Sequence, residues 1–239
     1  MTLTTGNFEK QYLSLRRKEQ RLYTDEQVRL LPEIDPAHPH HAEWEIRRSS
    51  CQKLIRYLTN KKRRLNILEV GCGNGWLCFQ LSKIKNSRVT GIDINAAELG
   101  QAKKVFDGVG NLDFFYGEIV EENIRCRKFD VIVFAASIQY FPLLGDILDI
   151  ALDLLNPIGE IHILDSHFYK AWELEAARNR SENHFRSMGL PDMKEHYFHH
   201  GIDELKKYDY KLLYNPESIT HLFAKEKNPF PWICIKNSF

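Results

Sequence analysis

Asn66-Ile-Leu-Glu-Val-Gly-Cys-Gly-Asn-Gly-Trp-Leu77 is the stretch on which the reading of the whole chain turns. It passes from an apolar run into alternate glycines at 71, 73 and 75, and then into helical spacing at Leu77, Leu81 and Ile84. A strand that becomes a helix through glycines lets backbone amides approach a ligand closely, because no Cβ intervenes. A nucleotide-like ligand is therefore expected across this turn. A dinucleotide fingerprint needs its third glycine three positions after the second, where bulky Trp76 stands, so nicotinamide binding is disfavoured. Trp76 is read as packing at the helix start in preference to stacking on a ligand.

Outward from this loop the chain alternates short apolar runs with helical periodicity. Strands are predicted at 66–70, 88–92, 112–116, 129–134 and 160–164. Between them Leu99, Ala102 and Phe106 mark one helix, and Ile147, Leu148, Ala151, Leu154 and Leu155 another, stopped by Pro157 and Gly159. Such alternation implies an α/β, Rossmann-like parallel sheet with right-handed crossovers and helices on both faces. A helix is predicted over 169–188, and two last strands at 210–214 and 232–236, separated by a short helix or ordered loop. On the N-terminal side, Phe8, Tyr12 and Leu15 fall on one helix face and Cys51, Leu54, Ile55 and Leu58 on another. The prolines between Leu31 and His41 make that connection a loop. The chain divides into an N-terminal helical cap or lid at 1–64 and a ligand-binding domain at 65–239, with a helical insertion at about 167–208.

Composition removes several classes of function. The 239 residues are 43% hydrophobic and 27% charged, enough for a substantial core. A net charge of +1 supplies no global field for gathering nucleic acid. The longest apolar runs fall far short of the roughly 20 residues that cross a bilayer, and the first residues carry no secretory core, so a cytoplasmic protein is expected. Five cysteines without a Cys-x-x-Cys pair argue for reduced thiols and against disulfides or a zinc knuckle. The histidine groups 38, 40, 41 and 196, 199, 200 lack metal-ligand spacing, and no metal is predicted. The basic runs at 16–18 and 61–64 read as solvated faces.

Two further features follow the glycine loop in order. Asp93 ends the second predicted strand, where a carboxylate accepts hydrogen bonds from a ribose diol. Gly117-Glu118-Ile119 follows the third, placing an acid and an apolar side chain where they frame an adenine. With these residues the chain resembles the class I S-adenosylmethionine-dependent methyltransferases of the small-molecule type. Glu69-Val-Gly-Cys-Gly-Asn-Gly75 looks like the family's first motif, which implies that Glu69, Gly71, Cys72, Gly73 and Gly75 surround the methionine end of the cofactor. The resemblance further assigns Asp93 to the ribose, Ile94 to the adenine, Glu118 with Ile119 to the adenine edge, and Ala135 to the methionine moiety. It implies a seven-stranded, mostly parallel sheet with the last strand antiparallel, S-adenosyl-L-methionine as cofactor and S-adenosyl-L-homocysteine as product.

Methyl transfer of this kind needs an acceptor lone pair held in line, so positioning is the protein's main contribution and no enzyme nucleophile is required. A hydroxyl or ammonium acceptor also needs a base. The loops after the fourth and fifth strands border the acceptor and contain Gln139, Tyr140 and His167; His167 and Tyr140 are the candidate catalytic residues. Tyr197, His199 and His200 from the insertion, and Tyr12, Tyr23 and Trp44 from the N-terminal region, are the remaining candidates to wall the pocket. The expected partner is a small-molecule methyl acceptor, neither membrane nor nucleic acid, with the oligomeric state open. Two other readings stand beside this one: a catalytically silent cofactor-binding subunit, and an RNA methyltransferase, which lacks support because Ala135-Ala-Ser-Ile138 occupies the place of an Asn/Asp-Pro-Pro-Tyr motif.

Overall fold

The computed structural model describes residues 5–218 and 228–237. Its sheet contains β1 (Leu65–Val70), β2 (Ser87–Asp93), β3 (Leu112–Tyr116), β4 (Phe129–Ala135), β5 (Leu155–Leu164), β6 (Tyr210–Tyr214) and β7 (Trp232–Lys236) in the order β3-β2-β1-β4-β5-β7-β6. β7 runs antiparallel to both neighbours and the first five strands are mutually parallel. The chain winds from β1 outward to β3, then returns to place β4 on the other side of β1. A crevice opens at such a reversal, beyond the carboxyl ends of the strands.

Helices form where the apolar spacing demands them: α1 (Thr5–Lys18), α2 (Asp25–Leu30), α3 (His41–Thr59), α4 (Trp76–Ser82), α5 (Ala96–Val105), α6 (Glu122–Arg125), α7 (Leu144–Asp153) and α8 (Leu174–Ser187). Successive strand residues point to opposite faces and so feed two cores. Ile67, Val131 and Val133 pack beneath α3, α4 and α5, against Leu54, Leu58, Leu77, Leu81 and Leu99. Leu68, Ile132 and Phe134 pack on the other face against Ile147, Leu148 and Ala151 of α7. A third, smaller cluster joins Phe8 and Leu15 of α1 to Phe185 of α8 and Met193, with Tyr12, Ile94, Tyr140 and Tyr197 around it. Through those contacts α1 lies over the crevice, whereas α3 is part of the layer that covers the sheet.

Two elements depart from the sequence expectation. β5 begins at Leu155, before Pro157 and Gly159, and α7 has already ended at Asp153. The pairing jumps from Phe129↔Leu155 to Val131↔Glu160, so the intervening residues bulge and the proline's missing N–H breaks no regular ladder. The helix expected from 169 starts at Leu174, after a 3-10 turn, because the Tyr169 backbone is bridged to Gly201: its N–H donates to the His200 carbonyl at 3.0 Å and its carbonyl accepts from Ile202 at 2.9 Å. The short helix or loop expected between β6 and β7 falls mainly on residues outside the described ones. All five cysteines are unpaired.

Candidate functional site

A cavity of about 1080 Å³ occupies the crevice and is walled by the ends of β1, β2, β4 and β5 together with α1, α3 and α8. The glycine loop forms its floor. Gly71, Gly73 and Gly75 adopt φ of 74°, 51° and 75°, in the left-handed region that side-chain-bearing residues rarely enter. A Cβ on Gly71 would sit 2.6 Å from the Ser137 Cβ, and Ser137 is itself fixed by donating to the Val70 carbonyl at 2.7 Å. Gly75 stands behind the cavity wall: it starts α4, and a Cβ there would meet the Phe114 ring at 2.5 Å. Glu69, Gly71, Cys72, Gly73, Asp93, Ile94, Glu118, Ile119 and Ala135 all reach the wall.

Four carboxylates on the glycine-loop side of the cavity differ in their surroundings. Asp93 accepts from the Gly73 amide at 2.7 Å through one oxygen and from the Asn95 amide at 2.7 Å through the other, which locks the loop to the end of β2. Burial pushes its pKa up and these amides oppose the rise. Glu69 accepts the Cys78 thiol at 2.8 Å, yet burial still raises its carboxyl to about 8. Glu98 on α5, also buried, is raised to about 7 despite the nearby Arg16 guanidinium. Glu118 is exposed at the far rim. Asn95 Nδ2, Arg16 Nε and His196 Nδ1 are buried polar atoms on cavity-lining residues with no hydrogen-bond partner among the described residues.

On the acceptor side Tyr140 is boxed by Phe8, Tyr12 and Tyr197, with ring centroids 5.9, 5.7 and 5.8 Å away, and burial raises its phenol pKa. His167 lies 4.6 Å from the Phe230 ring; burial and then Arg180 lower its pKa, so the imidazole is neutral at physiological pH. The backbone beneath is fixed by Gln139, which donates to the Ala136 carbonyl at 2.7 Å and accepts from Ser166 at 3.0 Å. Tyr12, Tyr23, Trp44, Gln139, Tyr197 and His199 also line the cavity, and the Trp44 indole donates to the Tyr23 hydroxyl at 2.8 Å. His200 does not; it is buried beside the Ile138 carbonyl. Trp76 packs edge-on against Trp44 at 5.2 Å while one side reaches the cavity.

Sequence reasoning missed Arg16, Arg47, Glu98 and Asp165. Asp165 follows β5 directly, so the rule that found Asp93 would have found it. It holds φ of 53°, like Ala136 after β4, and accepts from Ser50 of α3 at 2.6 Å. Burial raises its pKa to about 6, against the pull of Arg47. Arg16, read from the sequence as part of a solvated basic face, is instead buried at the cavity, and nothing local marks Arg47; both reach the cavity because α1 and α3 fold over it.

Neither histidine group forms a metal set. Among the described residues the side chains that converge as ligands are Glu160, His162 and Cys234, within 4.8 Å of one another in the sheet's interior. The Glu160 carboxylate there already binds the Lys61 ammonium at 2.7 Å and the Tyr57 hydroxyl at 3.1 Å, so a cation of the chain's own fills that role.

With this geometry in place, comparison with known proteins is informative. A family described as a methyltransferase domain matches residues 61–216. A malonyl-[acyl-carrier protein] O-methyltransferase of Halalkalibacterium halodurans is 28% identical over 113 residues, 44% of this chain and 42% of that one. A ubiquinone biosynthesis O-methyltransferase of Rhodopseudomonas palustris is 29% identical over 117 residues, 48% of this chain and 46% of that one. The chain thus spans less than half the length of these curated relatives. Among solved structures, magnesium protoporphyrin IX methyltransferase from Synechocystis PCC 6803 with bound S-adenosylhomocysteine superimposes with a TM-score of 0.60 at 12% identity, covering 93% of this chain and 94% of that one. The plantazolicin methyltransferase BpumL, also with that compound, gives 0.58 at 17% identity over 97% and 96%. No helix among the described residues is long and apolar enough to cross a membrane.

Proposed function

We propose, from the premise that this chain belongs to the methyltransferase-domain family and is a class I S-adenosylmethionine-dependent enzyme, that it methylates an oxygen or nitrogen atom of a small molecule held between β4, β5 and α8. The observation that carries this reading is the glycine loop: Gly71 and Gly73 take left-handed φ and present bare backbone to the cavity wall, and Asp93 is locked beside them. The bound cofactor supplies a sulfonium-activated methyl group. Gly71, Cys72, Gly73, Glu69 and Ala135 hold its methionine portion, Asp93 the ribose, and Ile94, Glu118 and Ile119 the adenine.

The remaining work falls to positioning and proton removal. Tyr140, wedged among aromatic rings, walls the acceptor side and excludes water; ionising it is opposed by burial. His167, kept neutral, accepts the proton from the acceptor's hydroxyl or ammonium at a ring nitrogen. Because its pKa lies below the ordinary 6.5, activity stays level down to that pH and falls only on further acidification.

Calorimetric titration with S-adenosylmethionine and S-adenosylhomocysteine tests the reading directly. Asp93→Asn is expected to weaken both by about ten- to a hundredfold, the worth of charge-assisted hydrogen bonds. Absence of binding by either compound to the unaltered chain removes the proposal. His167→Asn is expected to abolish the acid limb of the pH–rate profile while leaving cofactor affinity unchanged; retention of that limb assigns the proton to another group.

A further inference from the structure

The acceptor half of the cavity has a chemistry of its own, set by which of its charges are already satisfied. Four guanidiniums border the cavity: Arg16, Arg21, Arg47 and Arg180. Arg21 pairs with Glu43 at 2.6 Å and Glu19 at 3.2 Å. Arg47 pairs with Glu43 at 2.9 Å; Arg16 has no ion pair among the described residues and is buried near Tyr12 and Glu98. Arg180, on the exposed side of α8, has no carboxylate within ion-pair distance among the described residues. Its guanidinium instead lies against the Tyr169 hydroxyl and bears on His167 and His199. Both imidazoles are held neutral, His199 down to about 4 by burial and then by Arg178, His200 and Arg180, so among the residues lining that end of the cavity Arg180 is the fixed positive charge.

The walls beside Arg180 are rings. Tyr169 lies 5.7 Å from His167 and 5.5 Å from His199, Tyr197 5.3 Å from His199, and Phe230 4.6 Å from His167, all as centroid separations. Ser181 fixes His199 through a 2.9 Å contact with its Nε2. At these spacings the rings touch one another and form a continuous aromatic wall, and a flat aromatic body packs favourably against its free faces and edges. A guanidinium presents paired N–H donors whose spacing matches a carboxylate.

We infer that the acceptor is a planar aromatic molecule bearing a carboxylate, with its ring among Tyr169, Tyr197, His167 and Phe230 and its acid group on Arg180. This assignment deepens the methyltransferase reading and rests on it. Arg16 is buried near Glu98 and Asp93 on the glycine-loop side, so Arg180 is the cavity guanidinium on the His167 side that has no carboxylate partner among the described residues.

The test titrates the full chain, saturated with S-adenosylhomocysteine, with salicylate, with salicylamide as its neutral counterpart, and with cyclohexanecarboxylate as its non-aromatic counterpart. Salicylate is expected to bind at least about tenfold tighter than either, the worth of one charge-assisted pair or one stacked ring. Arg180→Gln is expected to erase the preference for salicylate over salicylamide, and Arg180→Lys to restore part of it, with homocysteine-product affinity unchanged in both, which also reports intact folding. Equal binding of acid and amide, no salicylate binding at millimolar concentration, or a preference that survives Arg180→Gln overturns the assignment while leaving the cofactor reading in place. Cyclohexanecarboxylate binding as tightly as salicylate overturns its aromatic half. Failure of S-adenosylhomocysteine to bind at all overturns the cofactor reading, and this assignment with it.

Discussion

Gly71 tolerates no side chain, for two separate reasons: its φ of 74° is strained for any other residue, and the Ser137 Cβ closes the space a methyl would need. Gly71→Ala is expected to cost about 1–3 kcal/mol in stability, read as a lowered melting temperature, and to weaken S-adenosylhomocysteine in a titration. Two residues earlier in the chain, Glu69 is a buried carboxyl with a different dependence. Its folded pKa of about 8 exceeds the ordinary 4.5, so the unfolded chain releases the proton first; stability is intact below pH 4.5 and declines as the pH rises toward 8. Glu98, at about 7, and Asp165, at about 6, add the same sign. Glu69→Gln is expected to flatten the part of that decline above pH 7 in denaturant melts; an unchanged slope would show that Glu69 is ionised throughout. The glycines and Asp93 were legible because a turn that requires left-handed φ and an acid at a strand end leave their mark in adjacent residues. Glu69 was legible as a position, but its protonation was not, since that comes from burial by α3 and α4.

Among the elements, α1 couples the site to the rest of the fold. Phe8 and Leu15 are buried against Phe185 and Met193, the Glu9 carboxylate accepts from the Ala96 amide at 2.8 Å, and Lys18 donates to the Met188 carbonyl. Arg16 hangs from this helix into the cavity. The joint replacement Phe8→Ala and Leu15→Ala removes α1's main apolar anchors, at about 2–5 kcal/mol of local packing each. Limited proteolysis is expected to cut the variant within α1 and titration to show weaker cofactor binding, while the main thermal transition, set by the two sheet cores, moves little. If the two changes leave proteolysis and cofactor binding untouched, α1 does not close the site. The periodicity of Phe8, Tyr12 and Leu15 announced this helix. Its destination was not announced, because the apolar surface it covers belongs to α8 and to the turn at Pro191–His196, far away in sequence. The same limit explains the start of α8: propensity extends the helix back to Tyr169, and only the bridge to Gly201 withdraws that residue's backbone groups.

At the scale of the whole molecule the cavity and the buried charge cluster occupy separate places on the sheet. The cavity lies beyond the carboxyl ends of the strands; the Lys61–Glu160–His162 cluster sits within the length of β5, tying the end of the α3 segment to β7 through Tyr57 and Trp232. Burial alone would raise the Glu160 carboxyl, but His162 and Lys61 hold it down to about 2. A pKa below the ordinary 4.5 means that this contribution is complete above pH 4.5 and is lost as the pH falls toward 2. Glu160→Gln is expected to lower stability at neutral pH by about 2–4 kcal/mol, since Lys61 loses its carboxylate, and to shrink the acid-induced loss, with S-adenosylhomocysteine affinity unchanged. A change in that affinity would mean that the sheet transmits the disturbance to the cavity.

What the sequence by itself determined was the parallel sheet and the glycine turn with its strand-end acid: each imposes its requirement on a few neighbouring residues, and so appears as a contiguous pattern. The charges that border the cavity, and how they pair, were decided by tertiary structure. Ser50 meets Asp165 across 115 residues, and Arg16, Arg47 and Arg180 arrive on three separate helices. Which of those charges is paired and which stands open depends on how side chains from distant segments meet in a shared space, and no local backbone requirement records that.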